Sequence, residues 1–187
     1  ALRALNFYGA ERMVRINQGA RGIHDLDYVV PHNVHLLLLP KCEHASQVLD
    51  VDGRVQEIRL KNNIAGEIFY MPIIESALGV EHAFEIATAH KNIAGLAIGL
   101  EDFTADLGVQ RTEEGRESRY ARMRLVNAAK AARIQPIDSV YSDVANMDGL
   151  RATVAESKSL GLEGMGCIHS RQIKVSHESF APEEKEI

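Results

Sequence analysis

The chain alternates two kinds of segment along its length, and this order restricts its fold more than any other feature. Short apolar runs without polar alternation are typical of strands buried on both faces of a parallel sheet. Between them lie longer segments with apolar residues at helical spacing. The order of strand, helix, strand, helix predicts an α/β protein with a parallel sheet. The predicted strands are residues 12–17, 34–40, 68–74, 93–100, 136–140 and 161–168.

The predicted helices occupy the segments between these strands. One of them carries a loose apolar stripe that includes Val48, Val51 and Val55. A polar, glycine-containing stretch at residues 111–118 predicts a long loop. The acidic tail at residues 182–187 predicts the start of a terminal helix or a frayed end. The predicted helices are residues 22–30, 43–60, 76–90, 117–133 and 148–159.

Composition excludes several classes of protein. The chain has 187 residues, of which 45% are apolar and 25% charged, shares close to those of globular proteins. No run approaches the ~18 apolar residues of a membrane span, so no membrane partner is expected. The net charge of −5 argues against a nucleic-acid partner. Cys42 and Cys167 are too few for a disulfide framework, and the cytoplasm is the expected location.

Two parallel architectures fit the order of elements. A doubly wound fold that binds a dinucleotide carries Gly-x-Gly-x-x-Gly after a strand, whereas Gly95 and Gly99 lie four apart inside a predicted strand. A (βα)8 TIM-type barrel uses roughly 31 residues per unit, so this length supplies about six of its eight units. An open six-stranded wall would expose two parallel edges. We therefore predict one partial TIM-type barrel domain over residues 1–187, with the first two βα units missing.

Charged residues recur where the predicted strands end, and active sites of parallel barrels lie at that end. Glu75 and Asp102 follow consecutive strands, which are ~4.8 Å apart when they are neighbours. Two carboxylates so close repel each other unless a cation lies between them or one is protonated. Mg²⁺ suits this pair because it prefers oxygen and keeps open positions for water or substrate. The alternative is that both acids stabilise the N-termini of the following helices.

Arg15 is a cation within an apolar run, between Val14 and Ile16. Charged side chains are rarely buried without a partner. One interpretation is a structural salt bridge to an inner acid, and the other is a two-point contact with a substrate carboxylate. The position of Arg15 at the same end of the sheet as Glu75 and Asp102 favours the second interpretation.

Two stretches of the sequence resemble the signature regions of a known family. Residues 72–80 (PIIESALGV) and 99–108 (GLEDFTADLG) are similar to those of the citrate lyase beta-subunit family. This family belongs to the HpcH/HpaI aldolase group, which includes malyl-CoA and citramalyl-CoA lyases. Further strings resemble the same family and occur in its order: residues 14–17, 39–43, 120–122, 137–143 and 167–173.

The resemblance implies a (βα)8 barrel that binds Mg²⁺ and cleaves a carbon–carbon bond of an acyl thioester. When the motifs of the family are matched to this sequence, Glu75 and Asp102 correspond to the metal-binding carboxylates. The resemblance also implies that Glu75 contacts the substrate. Asp102 is the match rather than Asp106, because the acid of the family directly precedes an aromatic residue. Arg15 matches the arginine that holds the keto-acid or acyl portion. The implied partners are a thioester of CoA or acyl-carrier protein, other lyase subunits, and further copies in a homo-oligomer, a trimer or hexamer.

The sequence departs from the family pattern in two places. The family begins with one strand similar to Phe-Val-Pro-Gly and another similar to Leu-Glu-Asp-Ala-Val, and neither motif occurs in this sequence. These two strands correspond to the two units that the length argument finds missing. Ser170 stands where the family usually has proline.

Three functions remain open on the sequence alone. The first is retro-Claisen cleavage of a citryl-type thioester into oxaloacetate and an acetyl thioester. The second is a sister activity on (S)-citramalyl-CoA or malyl-CoA, which differs in the groups around the same oxygens. The third is a catalytically silent scaffold subunit of a lyase complex. Binding of Mg²⁺ distinguishes the first two from the third.

Overall fold

Six strands and eight helices follow one another in the computed structural model, which describes residues 2–112 and 114–182. The strands are β1 (Met13–Arg15), β2 (Leu36–Leu39), β3 (Phe69–Ile74), β4 (Gly95–Ile98), β5 (Gln135–Asp138) and β6 (Gly164–Met165). The helices are α1 (Gly19–Val29), α2 (Ala45–Asn62), α3 (Ala77–Glu81), α4 (Ala83–Ala87), α5 (Leu100–Leu107), α6 (Arg119–Ala132), α7 (Met147–Leu160) and α8 (Ser170–Phe180), with a 3-10 helix at Val30–His32. The acidic tail beyond Pro182 lies outside the described residues.

The six strands form one parallel sheet in which each strand pairs with the next one along the chain. Arg15 lies opposite Leu38, and Ile74 lies opposite Ile98. A doubly wound sheet reverses its strand order at a switch point, and no reversal occurs among these strands. The prediction of an α/β fold with a parallel sheet is therefore confirmed, and the sheet is a curled half-barrel.

The two faces of the sheet have different environments because successive strand side chains point to opposite faces. Val14 and Ile74 pack into the large core between the sheet and the helices. A smaller apolar cluster covers the opposite, concave face, and it contains Leu36, Met71, Ile73 and Ala97, with Leu38, Ala94 and Ile137 against them. Arg15 and Glu75 each follow a residue of the helix-side core, so the alternation places them on the concave face.

The sequence prediction differs from the structure in several places; β6, for example, spans only Gly164–Met165 within the strand predicted at 161–168. The strand predicted at 93–100 is too long, because β4 ends at Ile98 and Leu100 begins α5. Helix α5 was therefore missed, and so was α8, which has few apolar residues. The segment at 76–90 forms two short helices, because the backbone at His82 leaves the helical region (φ −89°, ψ 6°).

Local signals explain where α7 begins and ends. The side chain of Asn146 accepts a hydrogen bond from the Gly149 N–H at 2.8 Å, which caps the N-terminus. Gly161 ends the helix in a left-handed conformation (φ +93°) that glycine adopts without strain. None of the described helices combines the length and the apolar character that crossing a bilayer requires.

A buried ionic cluster joins α6 and α7 to β5 on the helix side of the sheet. The Arg122 guanidinium contacts the Asp138 carboxylate at 2.6 Å, and only 3–4% of either side chain is exposed. Arg122 also contacts Glu156 at 3.0 Å and Ser157 at 3.1 Å, and the Ser157 hydroxyl donates to Asp138. Asp138, the last residue of β5, is therefore a structural group.

The substitution Arg122→Met should lower the free energy of unfolding by about 3–5 kcal/mol, because it leaves the Asp138 carboxylate buried without a cation. Urea denaturation followed by circular dichroism measures the difference. The control is Arg151→Met, which breaks an exposed ion pair with Asp148 and should change stability much less. Equal effects of the two substitutions would contradict a role for this cluster in holding α6 to β5.

Candidate active site

Four charged residues at or just beyond the ends of β1 to β4 lie at the edge of the sheet where the parallel strands end. Arg15 is the last residue of β1, Lys41 lies two residues beyond β2, and Glu75 directly follows β3. Asp102 lies in the first turn of α5, just after β4. The three residues predicted from the sequence, Arg15, Glu75 and Asp102, thus lie at one edge, together with Lys41. In parallel barrels this edge carries the working residues.

Glu75 is a buried acid at this edge, with 7% of the residue exposed. Its Oε2 accepts a hydrogen bond from the backbone N–H of Lys41 at 2.9 Å. Burial raises the pKa of the Glu75 carboxyl above its usual value, although the Lys41 N–H and the Arg15 charge lower it. The nearby Asp102 carboxylate adds to the rise. The negative charge of Asp102 therefore acts on the Glu75 carboxyl.

Gly99 provides the space that the Glu75 side chain occupies. It follows β4, and its N–H donates to the Ile74 carbonyl at 2.9 Å. A Cβ on Gly99 would lie 2.4 Å from Glu75 Oε1 and 2.6 Å from its Cγ, which is closer than atoms can approach. Any side chain at this position would force the carboxylate of Glu75 to move.

Asp102 contacts a cation on a neighbouring loop. Its Oδ1 lies 3.2 Å from the Lys41 ammonium, and 44% and 43% of the two side chains are exposed. Because Asp102 lies in the first turn of α5, it also stabilises the positive end of that helix, as the alternative interpretation proposed. Glu75 has no such role, since the hydroxyl of Ser76 accepts the capping hydrogen bond of α3.

Arg15 is exposed on the concave face. Within the part of the chain that the structure describes, no acid lies within salt-bridge distance of its guanidinium, so the interpretation of a buried structural ion pair is wrong. An open cavity of about 390 Å³ lies beside it. The lining of this cavity is polar at Asn17, Gln18 and Arg21, and Ile16 and Pro40 complete it. The guanidinium is free to pair with an anion.

Two carboxylates at this edge, those of Glu75 and Asp102, are the groups that would hold a metal ion. Among residues 2–112 and 114–182, no three His, Cys, Asp or Glu side chains cluster as a ready metal cage. Mg²⁺ does not need one, because it commonly binds one or two carboxylates and keeps water or substrate oxygens in its other positions. Glu75 and Asp102 fit this requirement: both supply oxygen, and a cation between them would relieve their repulsion.

Sequence analysis did not select Lys41 or Gly99, although both had a visible signal. Lys41 is the first charged residue after the apolar run of β2, and Gly99 separates an apolar run from two acids. The neighbouring Cys42 is buried, and burial raises the pKa of its thiol to about 12. Cys42 is therefore protonated at neutral pH and is not a nucleophile.

A curled parallel half-barrel with polar residues at its carboxyl edge defines a class of protein, the α/β proteins with a parallel sheet, and in parallel barrels of this class the site lies on the βα loops. The profile of the family described as HpcH/HpaI aldolase/citrate lyase matches residues 1–170. The chain belongs to this family, and the resemblance found in the sequence is confirmed.

Named relatives and a solved structure support the same family. The citrate lyase subunit beta of Haemophilus influenzae is 39% identical over 180 residues, which cover 95% of this chain and 62% of that protein. The L-malyl-CoA/beta-methylmalyl-CoA lyase of Cereibacter sphaeroides is 28% identical, over 89% of this chain and 58% of that protein. The chain thus spans about three fifths of the length of the curated relatives that it matches.

The solved citrate lyase beta subunit of Mycobacterium tuberculosis, complexed with oxaloacetate and magnesium, is similar in three dimensions. Its TM-score is 0.75 at 26% identity, and the match covers 91% of this chain and 72% of that one. The curled six-stranded sheet of this chain therefore matches part of the fold of that citrate lyase beta structure.

The substitution Gly99→Ala should weaken the binding of Mg²⁺ by about tenfold or more, because the added methyl group displaces the Glu75 carboxylate. Isothermal titration calorimetry of the purified chain with MgCl₂ measures the affinity. The control is Gly66→Ala, where a Cβ would meet nothing within 4 Å. Unchanged affinity in Gly99→Ala, with the fold intact, would mean that the position of Glu75 over Gly99 is unimportant for the cation.

Proposed function

We propose that the chain is a Mg²⁺-dependent carbon–carbon lyase that cleaves a citryl-type acyl thioester into oxaloacetate and an acetyl thioester. The observation that carries this proposal is that two carboxylates, Glu75 and Asp102, both contact Lys41 at the carboxyl edge of the sheet, where the charge of Arg15 also acts on Glu75. Membership of the HpcH/HpaI aldolase/citrate lyase family supports it. So does the Mycobacterium relative, whose structure contains both magnesium and oxaloacetate.

Each of the three residues has a defined part in this proposal. Glu75 and Asp102 would hold Mg²⁺ through their carboxylate oxygens. When bound, the ion supplies Lewis-acid chemistry, which stabilises negative charge on the oxygens of the substrate. The burial of Glu75 on the concave face keeps its carboxylate away from bulk water and strengthens its electrostatic interactions.

Arg15 would bind the carboxylate of the keto-acid portion. A guanidinium donates two parallel hydrogen bonds to a carboxylate, which fixes the orientation of the anion as well as its position. Arg15 is suited to this because it is exposed beside a polar cavity and has no acid in salt-bridge contact among the described residues. Its positive charge would also oppose the negative charge that develops as the carbon–carbon bond breaks.

The proposal extends to the architecture and the partners. The six parallel strands would belong to an eight-stranded barrel, which needs two strands more than these and removes the exposed edges at β1 and β6. The thioester would be carried by CoA or by an acyl-carrier protein. Companion lyase subunits, a homo-oligomer (trimer or hexamer) and a cytoplasmic location belong to the same proposal.

A second candidate is a sister activity on (S)-citramalyl-CoA or malyl-CoA. The similarity to the Cereibacter malyl-CoA lyase supports this second candidate. All three thioesters would present the same oxygens to the acid pair, so the shape of the pocket would decide between them. The assay is direct: citryl, citramalyl and malyl thioesters release oxaloacetate, pyruvate and glyoxylate respectively, and the product formed fastest identifies the substrate.

The substitutions Glu75→Gln and Asp102→Asn should each lower lyase turnover by about a hundredfold or more, because each removes an anionic ligand of the proposed metal ion. Turnover is measured as keto-acid release at saturating Mg²⁺. Circular dichroism and thermal unfolding show whether the fold survives.

The matched control for these substitutions is Glu101→Gln. Glu101 is the neighbour of Asp102 in α5, but its carboxylate is paired with Arg111. Its removal should leave turnover nearly unchanged. If turnover persists in Glu75→Gln or Asp102→Asn, that acid does not act in the site. If the folded chain binds no Mg²⁺ at all, the scaffold function replaces the lyase.

The substitution Arg15→Lys should lower kcat/KM by about tenfold or more, because an ammonium cannot reproduce the planar pair of donors. Steady-state kinetics with the best thioester measures the loss. Arg21→Lys is the control, since Arg21 lines the same cavity but belongs to α1. A kcat/KM of Arg15→Lys equal to that of the control would assign the carboxylate to another residue.

A further inference from the structure

Lys41 is the residue that contacts both acids of the candidate site through different atoms. Its backbone N–H donates to Glu75 Oε2 at 2.9 Å. Its ammonium lies 3.2 Å from Asp102 Oδ1. One residue on the loop after β2 therefore joins the loop after β3 to helix α5 after β4.

Hydrogen bonds hold the backbone around Lys41 to neighbouring elements. The Lys41 carbonyl accepts a hydrogen bond from the Gln47 side chain at 3.2 Å. The next N–H along the chain, that of Cys42, donates to the Ile73 carbonyl at 3.0 Å. Lys41 itself has a left-handed conformation (φ +48°), which residues other than glycine adopt rarely.

A second lysine shows what an ordinary surface ion pair of this protein looks like. Lys130 on α6 is paired with Glu163, and 48% and 41% of these side chains are exposed. The exposures of Lys41 and Asp102 are nearly the same. The difference lies in the surroundings, because the Lys41 pair is next to a second, buried carboxylate and the charge of Arg15.

We propose that Lys41 is the built-in counterion of the carboxylate pair and sets its affinity for a divalent cation. The ammonium neutralises Asp102 until a divalent cation arrives, and it must leave Asp102 for that cation to bind both acids. The Lys41 N–H meanwhile keeps Glu75 in place whether or not the cation is bound. Lys41 is thus a positioning residue, and this inference rests on the proposed function for the role of the two acids.

Removal of the ammonium should therefore strengthen the binding of Mg²⁺. Without Lys41, Asp102 is already free, and the electrostatic potential at the acid pair is more negative. In Lys41→Met the dissociation constant for Mg²⁺ should fall about fivefold, which is the factor that a partly exposed ion pair contributes. The melting temperature without Mg²⁺ should fall as well, because the two carboxylates then repel each other without compensation.

The experiment is calorimetric titration of the full chain with MgCl₂, together with thermal unfolding with and without Mg²⁺. Lys130→Met is the matched control, and it should leave the Mg²⁺ affinity unchanged. Lys41→Arg retains a cation and should bind Mg²⁺ nearly as the unaltered chain does. Lys41→Asn removes the charge but accepts the left-handed backbone more readily, so it replaces Lys41→Met if that variant fails to fold.

A double substitution isolates the contact with Asp102. In the Asp102→Asn background there is no carboxylate to release, so Lys41→Met should no longer tighten Mg²⁺ binding. If the unaltered chain binds Mg²⁺ and Lys41→Met binds it equally or more weakly, the counterion role is wrong while the proposed function stands. If neither binds Mg²⁺, both are wrong. If Lys41→Met binds Mg²⁺ and the unaltered chain does not, the counterion role is supported in its strongest form.

Discussion

A buried carboxylate governs the arrangement of the carboxyl edge of this sheet. Glu75 would be costly to bury as an anion without hydrogen bonds or nearby positive charge. The structure supplies both, through the N–H of Lys41 at 2.9 Å and the charge of Arg15. Gly99 leaves room for the side chain because it has none of its own. Residues from four consecutive strand–loop units are thus held in register by one acid.

The acids at the strand ends have opposite roles according to the face of the sheet on which they lie. Asp138 faces the helices, where Arg122 and Ser157 contact its Oδ2 and the Ser139 N–H donates to its Oδ1. Glu75 lies on the concave face, where one carboxylate oxygen meets a backbone N–H and a second acid is near. The first arrangement stabilises packing, whereas the second leaves negative charge that a cation can neutralise.

Much of the fold followed from local pattern. The apolar runs at 34–40 and 68–74 became β2 and β3, because a strand buried on both faces must be apolar throughout. The predicted C-terminal end of β4 was wrong. Leu100 is as apolar as the strand before it, and only Gly99 separates the strand from helix α5. Helix α5 was missed because its first residue belongs to the apolar run that predicted a strand, and α8 because few of its residues are apolar.

The sequence by itself determined the order of elements, the family, and the placement of Arg15, Glu75 and Asp102 at one end of the strands, because parallel strands end at the same edge. Only the tertiary structure decided how these groups meet. The bridge of Lys41 to both acids and the approach of Glu75 to Gly99 join residues that are far apart in the chain. Such contacts depend on distances of a few ångströms between separate loops, which no local pattern of residues encodes.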